Sequence, residues 1–150
     1  MTLCVRYAKD RNNATEILND GFLKVFRYLD RYDAAKGSLY TWIKRIIINT
    51  NIDLLRQGQN APAIDMLPAG EEGAAVENEA LGKMSGEEIL QIIRQLPANA
   101  RLVFNLYAID GFSHREIADM MQINEGTSRW HLSEARRQLK TIIHLMENKP

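Results

Sequence analysis

Apolar side chains recur at steps of three and four residues along most of the chain, a spacing that predicts α-helices and almost no strands. Residues 1–10 have the pattern of the tail of one helix. The run from Asn13 to Glu16 resembles a capping box, so a second helix is predicted to start there and to end near 30–32. Its apolar positions are Ile17, Leu18, Phe22, Val25, Phe26 and Leu29.

A polar loop at 33–37 is predicted to precede a third helix, capped by Ser38 and running to about Arg56. Isoleucines and Trp42 make this helix apolar around much of its circumference. Such a helix is typical of a domain centre. We therefore expect it to be the buried element of a first domain, 1–56, with Trp42 in the core.

The helical pattern breaks at 57–84, where prolines, glycines and glutamates are frequent and apolar periodicity is lost. A stretch of this kind cannot bury enough apolar surface to offset the entropy lost on ordering. It is predicted to be a flexible acidic linker. The expected fold is all-α, with two small helical domains, 1–56 and 85–150, joined by this linker.

The second domain is predicted to begin with two helices. Ser85 and Glu88 form a capping box that opens a helix to Leu96. Pro97 then suits the start of a helix over about 98–109, which ends at Gly111.

The pattern after Gly111 predicts a helix-turn-helix. Ser113 and Glu116 form another capping box, which opens a short helix. A bridge leads to Asn124, a good N-cap residue for a longer helix. The longer helix has one predicted inward face, made of Ser128, Leu132, Ala135, Leu139, Ile142 and Ile143. Its opposite face is polar and basic, which is the arrangement of a helix that enters a DNA major groove. The alternative is an ordinary helical hairpin whose polar face is only solvated.

Formal net charge is zero, with 19 basic and 19 acidic residues, so the total does not indicate a nucleic-acid binder. The distribution is more informative. Residues 1–56 carry ten basic and six acidic groups, whereas 57–84 carry one and five. Residues 126–150 carry five basic and two acidic groups. The two ends are therefore cationic, and the acidic middle cancels their charge in the net charge of the whole chain.

The candidate chemistry argues against an enzyme. Cys4 is the single cysteine, so no internal disulfide forms, and it is expected to be a small buried hydrophobe. His114, His131 and His144 are scattered, and no metal cluster, nucleophile triad or phosphate-binding glycine loop is evident. No cofactor is predicted. No apolar run approaches membrane-spanning length, so we expect a cytoplasmic protein without membrane insertion.

Two separated blocks carry a resemblance to a known family. The first consists of ATEILNDGFLKVF at 14–26 and LYTWIKRIIIN at 39–49. The second extends from Leu96–Pro97 to Phe104 and continues with GFSHREIA at 111–118 and EGTS at 125–128. Together they resemble the extracytoplasmic-function (ECF) sigma factors, the small promoter-recognition subunits of bacterial RNA polymerase. The first block is similar to the core-binding and minus-ten regions, and the second to the minus-thirty-five region.

The resemblance implies that the helix at 16–26 docks on a coiled coil of the polymerase's largest subunit. Glu16, Asn19 and Asp20 lie within one and a half turns and can present acceptors to basic partner side chains. The residues alone favour a capping acid on a solvated surface, but the family match favours docking. The family also implies that the flap of the second-largest subunit is a partner.

The resemblance further implies that residues 32–49 open DNA and hold single-stranded minus-ten bases. Unpaired bases require stacking or edge hydrogen bonds, and phosphates require positive charge. The residues that supply such groups are Tyr32, Lys36, Ser38, Tyr40, Lys44, Arg45 and Asn49.

The promoter-reading positions of the minus-thirty-five region fall on the outer face of the last helix. They are Thr127, Arg129, Trp130, Ser133, Glu134, Arg136 and Arg137, with Arg136 directed toward phosphate. Family members usually carry a small or basic residue at the position of Trp130 and often a basic one at that of Glu134. An outward indole favours thymine methyls, and a glutamate accepts from cytosine N4. The sequence recognised is therefore expected to differ from that of better-known members.

Family members also begin with about one and a half more helices before the block at 14–26. Met1 thus corresponds to a point partway along a family helix, as in a short variant or a displaced start. Three helices in about 56 residues make a marginal core.

Three other classes share some of these features. A helix-turn-helix regulator that acts outside the polymerase requires an upstream phosphoacceptor or ligand domain. A serine recombinase requires a domain with a sheet, and an interaction adaptor requires that neither cationic surface binds DNA. The resemblance implies the polymerase core and promoter DNA as partners; many family members also have an anti-sigma factor, which no residue here identifies. The promoter sequence and inducing signal are not specified by the residues.

Overall fold

The computed structural model describes residues 2–58 and 84–147, and the regular structure in these two ranges is entirely helical. Contacts divide the chain into two compact units, residues 1–60 and 61–150. Most of the predicted linker at 57–84 lies outside the described residues. Its first two positions, 57 and 58, belong to a helix that runs slightly beyond the predicted end at Arg56.

The first unit contains three α-helices. They are α1 (Thr2–Tyr7), α2 (Arg11–Arg27) and α3 (Leu39–Gly58), with short 3-10 turns at Leu29–Arg31 and Ala34–Lys36. Ser38 caps α3 as predicted, since its Oγ accepts from the Thr41 amide at 3.2 Å.

The start of α2 differs from the prediction. Asp10 is the N-cap, because its side chain accepts from the Asn13 amide at 2.8 Å. Asn13 lies inside the first turn, where its Nδ2 donates to Glu16 Oε2 at 3.3 Å. The predicted cap at Asn13 is therefore wrong by one turn, since an equally good N-cap residue, Asp10, precedes it.

The core of the first unit lies where α1, α2 and α3 meet. Its buried residues are Cys4, Ala8, Ala14, Ile17 and Ile47. The backbones of α2 and α3 approach closely at Gly21, where an added Cβ would lie 2.3 Å from Ile47 Cδ1. The buried positions of α3 fall between Ile47 and Ile52. Trp42 is half-buried against Tyr32, so its prediction as a core residue is not met.

The second unit contains α4 (Gly86–Arg94), α5 (Ala98–Phe104), α6 (His114–Met121) and α7 (Glu125–Glu147). The Ser85–Glu88 capping box is present as predicted. The core consists of Ile92, Ile93, Leu96, Ala100, Ala135, Leu139 and Ile143.

The end of the predicted helix at 98–109 is not α-helical. Residues Asn105–Ile109 form a π-helical turn, in which the Asp110 amide donates to the Asn105 carbonyl at 3.0 Å. The buried Asn105 side chain donates from Nδ2 to the Arg101 carbonyl at 3.0 Å. Tyr107 lies within this wider turn, and such turns are common at functional sites.

Candidate nucleic-acid interface

The turn between α6 and α7 is defined by local caps. Ser113 and Glu116 form the predicted capping box at the start of α6. The helix ends at Gln122, which adopts a left-handed conformation with φ 54°. Asn124 then caps α7, since its Oδ1 accepts from the Thr127 amide at 2.6 Å. These contacts produce a short helix, a tight turn and a long helix, the arrangement of a helix-turn-helix.

Most of the predicted inward face of α7 is buried, and its remaining residue, Ile142, is half-buried against the same core. Leu132, Ala135, Leu139 and Ile143 are apolar and buried, and Ser128 is fully buried among them. The Ser128 hydroxyl has a partner on α6, where His114 Nδ1 lies 2.9 Å from Ser128 Oγ.

A ring stack extends this contact to the π turn. The ring of His114 stacks on Tyr107, with centroids 4.4 Å apart and an interplanar angle of 21°. The guanidinium of Arg136 lies 6.0 Å from the centroid of the same tyrosine ring. The π turn, α6 and α7 are therefore linked by polar and aromatic contacts as well as by apolar packing.

Two exposed arginines on α7 are each held by a glutamate. Arg129 Nη2 donates to Glu125 Oε1 at 2.6 Å. Arg137 donates twice to Glu134, from Nε to Oε2 at 2.9 Å and from Nη2 to Oε1 at 2.7 Å. The hydrogen bonds from Arg137 are the main reason that the pKa of the Glu134 carboxyl lies below its ordinary value.

The other predicted positions on α7 lie at different depths. Trp130 is half-buried, with its ring edge-on to His131 at 5.1 Å, and Ser133 and Arg136 are also half-buried. Burial lowers the pKa of the His131 imidazole. Thr127 is buried, and its Oγ1 donates to Asn124 Oδ1 at 2.9 Å. Its predicted place on the outer face is therefore wrong, because the cap draws this hydroxyl toward the turn.

The minus-ten candidates occupy the loop before α3 and its first turns. Tyr32 is half-buried and donates through its hydroxyl to the Gly37 carbonyl at 3.2 Å. Ser38 is engaged as the cap of α3, whereas Lys36 is exposed, with Nζ 3.7 Å from Asp33 Oδ2. These groups are held by local contacts at the entrance to α3.

On α3 itself the candidates fall on two different sides of the helix. Tyr40 is 72% exposed and lies one turn before the half-buried Lys44. Arg45 and Asn49 are both exposed and lie one turn apart. The exposed Tyr40 ring thus lies one turn from a lysine, and the exposed Arg45 and Asn49 lie on another side of α3.

The candidate docking face on α2 proves larger than predicted. Glu16 and Asn19 are exposed and Asp20 is half-buried. Exposed apolar residues continue along the same side of the helix. Periodicity predicts all of them except Leu23 to lie on the apolar face of α2. They are Phe22, Leu23, Phe26 and, just past the helix end, Leu29.

The apolar part of this surface is most exposed at its centre, Phe26. Phe26 is 72% exposed, and its ring centroid lies 6.4 Å from that of Phe22. The sequence does contain a signal for this exposure, because the apolar residues of α2 occupy a wider arc of the helix than a single packing face can bury. An exposed apolar patch of this kind marks an interaction surface.

Among residues 2–58 and 84–147, no group of three or more histidine, cysteine or acidic side chains can hold a metal ion. The same two ranges contain no helix that is both long and apolar enough to cross a membrane.

Comparisons with known proteins define the class to which this fold and interface belong. Residues 1–61 match the model of sigma-70 region 2, and residues 86–139 match the model of sigma-70 region 4. The chain is 30% identical over 153 aligned positions to the ECF RNA polymerase sigma-E factor of Escherichia coli K12, covering 95% of this chain and 79% of that protein. It is 28% identical over 152 positions to the sigma-E factor of Haemophilus influenzae, covering 94% of this chain and 79% of that protein.

A solved structure has the same fold. It is the sigma factor RpoE of Bartonella quintana, crystallised with the anti-sigma factor NepR, which matches with a TM-score of 0.60 and 17% identity over 99% of this chain and 90% of that one. The chain belongs to the ECF sigma factors of the sigma-70 family. It is a sigma factor that directs RNA polymerase to promoters, which selects this interpretation over a regulator acting outside the polymerase.

Proposed function

We propose that the two units divide promoter recognition between them: α7 reads the minus-thirty-five element, and the entrance to α3 holds the opened minus-ten strand. The observation that carries the proposal is the outer face of α7, where Arg129 and Arg137 are exposed behind a capped short helix. The buried inward face fixes the rotation of α7, and the half-buried Trp130, Ser133 and Arg136 border the arginines. Glu134 belongs to the same surface.

The entrance to α3 suits single-stranded rather than duplex DNA. Tyr40 offers a ring for stacking, and Lys36, Lys44 and Arg45 offer charge for phosphates. A base stacked on an aromatic side chain contributes about 1–3 kcal/mol without strong sequence preference. Tyr32, Ser38 and Asn49 supply hydroxyl and amide groups for base edges. In this proposal the protein is a cytoplasmic, non-enzymatic initiation factor, and these residues bind DNA without catalysing a reaction.

The outer face of α2 is the proposed contact with the coiled coil of the polymerase's largest subunit. Its first half offers acceptors from Glu16, Asn19 and Asp20, and its second half offers the apolar side chains around Phe26. A polar section beside an apolar section is typical of a specific protein interface. The flap of the second-largest subunit is the proposed partner of the second unit.

An anti-sigma factor is a further proposed partner. The structurally similar RpoE was crystallised with such a factor, NepR. An apolar face that is exposed on the free chain and used by the polymerase would be an effective target for a competing partner.

The proposal is tested by separating polymerase binding from promoter choice. The full chain is mixed with core RNA polymerase, and the complex is assayed for co-purification and for transcription from a promoter set. Phe26→Ser is expected to abolish co-purification, whereas Leu145→Ser, which alters an exposed apolar residue at the end of α7, should retain it. Arg137→Ala should co-purify normally and lose promoter-specific transcription. Normal promoter choice by Arg137→Ala, or equal loss of co-purification in both serine variants, would contradict the division of roles.

A further inference from the structure

We propose that Glu134 is a positioning residue for promoter recognition, which holds one edge of the Arg137 guanidinium so that the opposite edge faces a guanine in the minus-thirty-five element. The inference rests on the proposed function of α7 as the reading helix. It assigns to Glu134 a different role from the one its sequence position suggested, which was direct contact with a cytosine.

The Glu134–Arg137 pair is bidentate. Glu134 Oε2 accepts from Arg137 Nε at 2.9 Å, and Glu134 Oε1 accepts from Arg137 Nη2 at 2.7 Å. Gln138 also donates from Nε2 to Glu134 Oε1, which fixes the carboxylate from the next turn. The Glu134 side chain is 20% exposed and that of Arg137 is 69% exposed. The carboxylate thus lies against the helix while the guanidinium extends into solvent.

The donors that remain on Arg137 match a guanine. A guanidinium has five N–H donors, and the contacts with Glu134 use the Nε–H and one Nη2–H. Both Nη1–H groups and the second Nη2–H are directed away from the carboxylate. Two parallel donors at that end fit the O6 and N7 acceptors that guanine presents in the major groove. Glu134 therefore removes rotational freedom from a long side chain without occupying the edge that reads a base.

A direct contact between Glu134 and cytosine fits the structure less well. An ionised carboxylate has about four acceptor positions, and three are used by Arg137 and Gln138. Turning the carboxylate toward a cytosine N4 would break both hydrogen bonds from Arg137. It would also leave that arginine free to adopt many rotamers at the DNA surface.

The neighbouring pair on α7 provides a matched control. Arg129 is held by Glu125 through one hydrogen bond, Nη2 to Oε1, and both side chains are about half exposed. Glu125→Gln removes the same charge from the same helix as Glu134→Gln, but it disrupts a contact made through a single hydrogen bond. Any effect caused only by weaker repulsion of DNA phosphates should be common to both variants.

The experiment measures which promoters the holoenzyme selects. Core polymerase is assembled with the full chain, wild type or carrying E134Q, R137A, E125Q or E134Q together with R137A. Each holoenzyme selects from a promoter library randomised across the minus-thirty-five element, and the selected sequences are counted. R137A should lose preference for guanine at one position by about 10- to 100-fold. E134Q should weaken the same preference by about threefold or more and leave other positions unchanged, and it should add nothing in the R137A background.

Three results would overturn the inference or the function beneath it, and they are distinguishable. If E134Q changes selection only as E125Q does, the carboxylate acts through charge alone. If E134Q loses a cytosine preference that R137A retains, Glu134 reads the base itself. If the wild-type holoenzyme selects no minus-thirty-five sequence, or R137A alters no position, the proposed role of α7 fails. Matching thermal melts of the four variants would show that the selection changes do not arise from unfolding.

Discussion

Replacing Gly21 by alanine would place a methyl group where α2 and α3 touch. The added Cβ would lie 2.3 Å from Ile47 Cδ1, far inside van der Waals contact. Ile47 is buried in the core of the first unit, so its side chain cannot rotate freely away. Overpacking of this kind costs about 1–3 kcal/mol. Alanine is favoured over glycine in a helix by about 1 kcal/mol, so the net loss should be about 0–2 kcal/mol.

A second substitution reverses the sign of that effect. Ile47→Val deletes the Cδ1 atom with which the new methyl group collides, at its own cost of about 0.5–1.5 kcal/mol. In the valine background, Gly21→Ala should stabilise the first unit by about 1 kcal/mol, because the helix preference remains and the collision is gone. The coupling between the two sites is therefore expected to be about 1–3 kcal/mol.

Urea denaturation of the four chains, followed by tryptophan fluorescence, measures this cycle. The chain has two tryptophans, so a Trp130→Phe background leaves Trp42 as the reporter of the first unit. If alanine at position 21 changes the free energy of unfolding equally in the isoleucine and valine backgrounds, the close approach of α2 and α3 at this glycine is refuted.

Four further predictions concern single side chains. Ser128→Ala removes the hydroxyl that the buried His114 Nδ1 contacts and should destabilise the second unit by about 1–3 kcal/mol in thermal melts; a neutral change would contradict the contact. Trp130→Ala should cost about 1–2 kcal/mol of stability, between a surface and a core residue, and weaken promoter binding by about 1–3 kcal/mol; a core-sized stability loss with normal binding would contradict its place at the interface. Because burial lowers the pKa of His131 below 6.5, the unfolded chain binds more protons, and stability should be lost as pH falls through 6.5. His131→Gln should flatten that pH dependence, and an unchanged profile would exclude His131 as its source. Arg45→Ala should reduce the salt dependence of opened-promoter binding by about one counterion, and an unchanged slope would remove Arg45 from the phosphate contacts.

The elements that sequence predicted well are those defined by local chemistry. The capping boxes at Ser85 and Ser113 need only side chains three residues apart, so their positions are readable from the chain. The inward face of α7 follows from helical period alone. The π turn before Gly111 is different: it begins at Asn105, whose buried side-chain hydrogen bond to the Arg101 carbonyl is not revealed by periodicity.

The candidate interfaces were only partly predictable for a related reason. Period shows which residues share a side of α2, but not how far that side is covered by α1 and α3, so the exposure of Phe26 was missed. Thr127 has the phase of an outer residue, yet its bond to Asn124 draws it into the turn. Likewise, the sequence placed Glu134 among the reading positions without indicating that it pairs with Arg137. Such pairings depend on rotamers, which spacing permits but does not select.

Cys4 gives the first unit a built-in chemical reporter. Its side chain is 2% exposed, and burial raises the pKa of the thiol, so both access and reactivity are suppressed in the folded chain. Since the chain has one cysteine, a thiol reagent will label it essentially only when the packing of α1 against α2 and α3 opens. Labelling rates therefore give the opening free energy of that unit within the intact chain or the holoenzyme. A polymerase-bound sigma factor can in this way be compared with the free one without adding any probe to the protein.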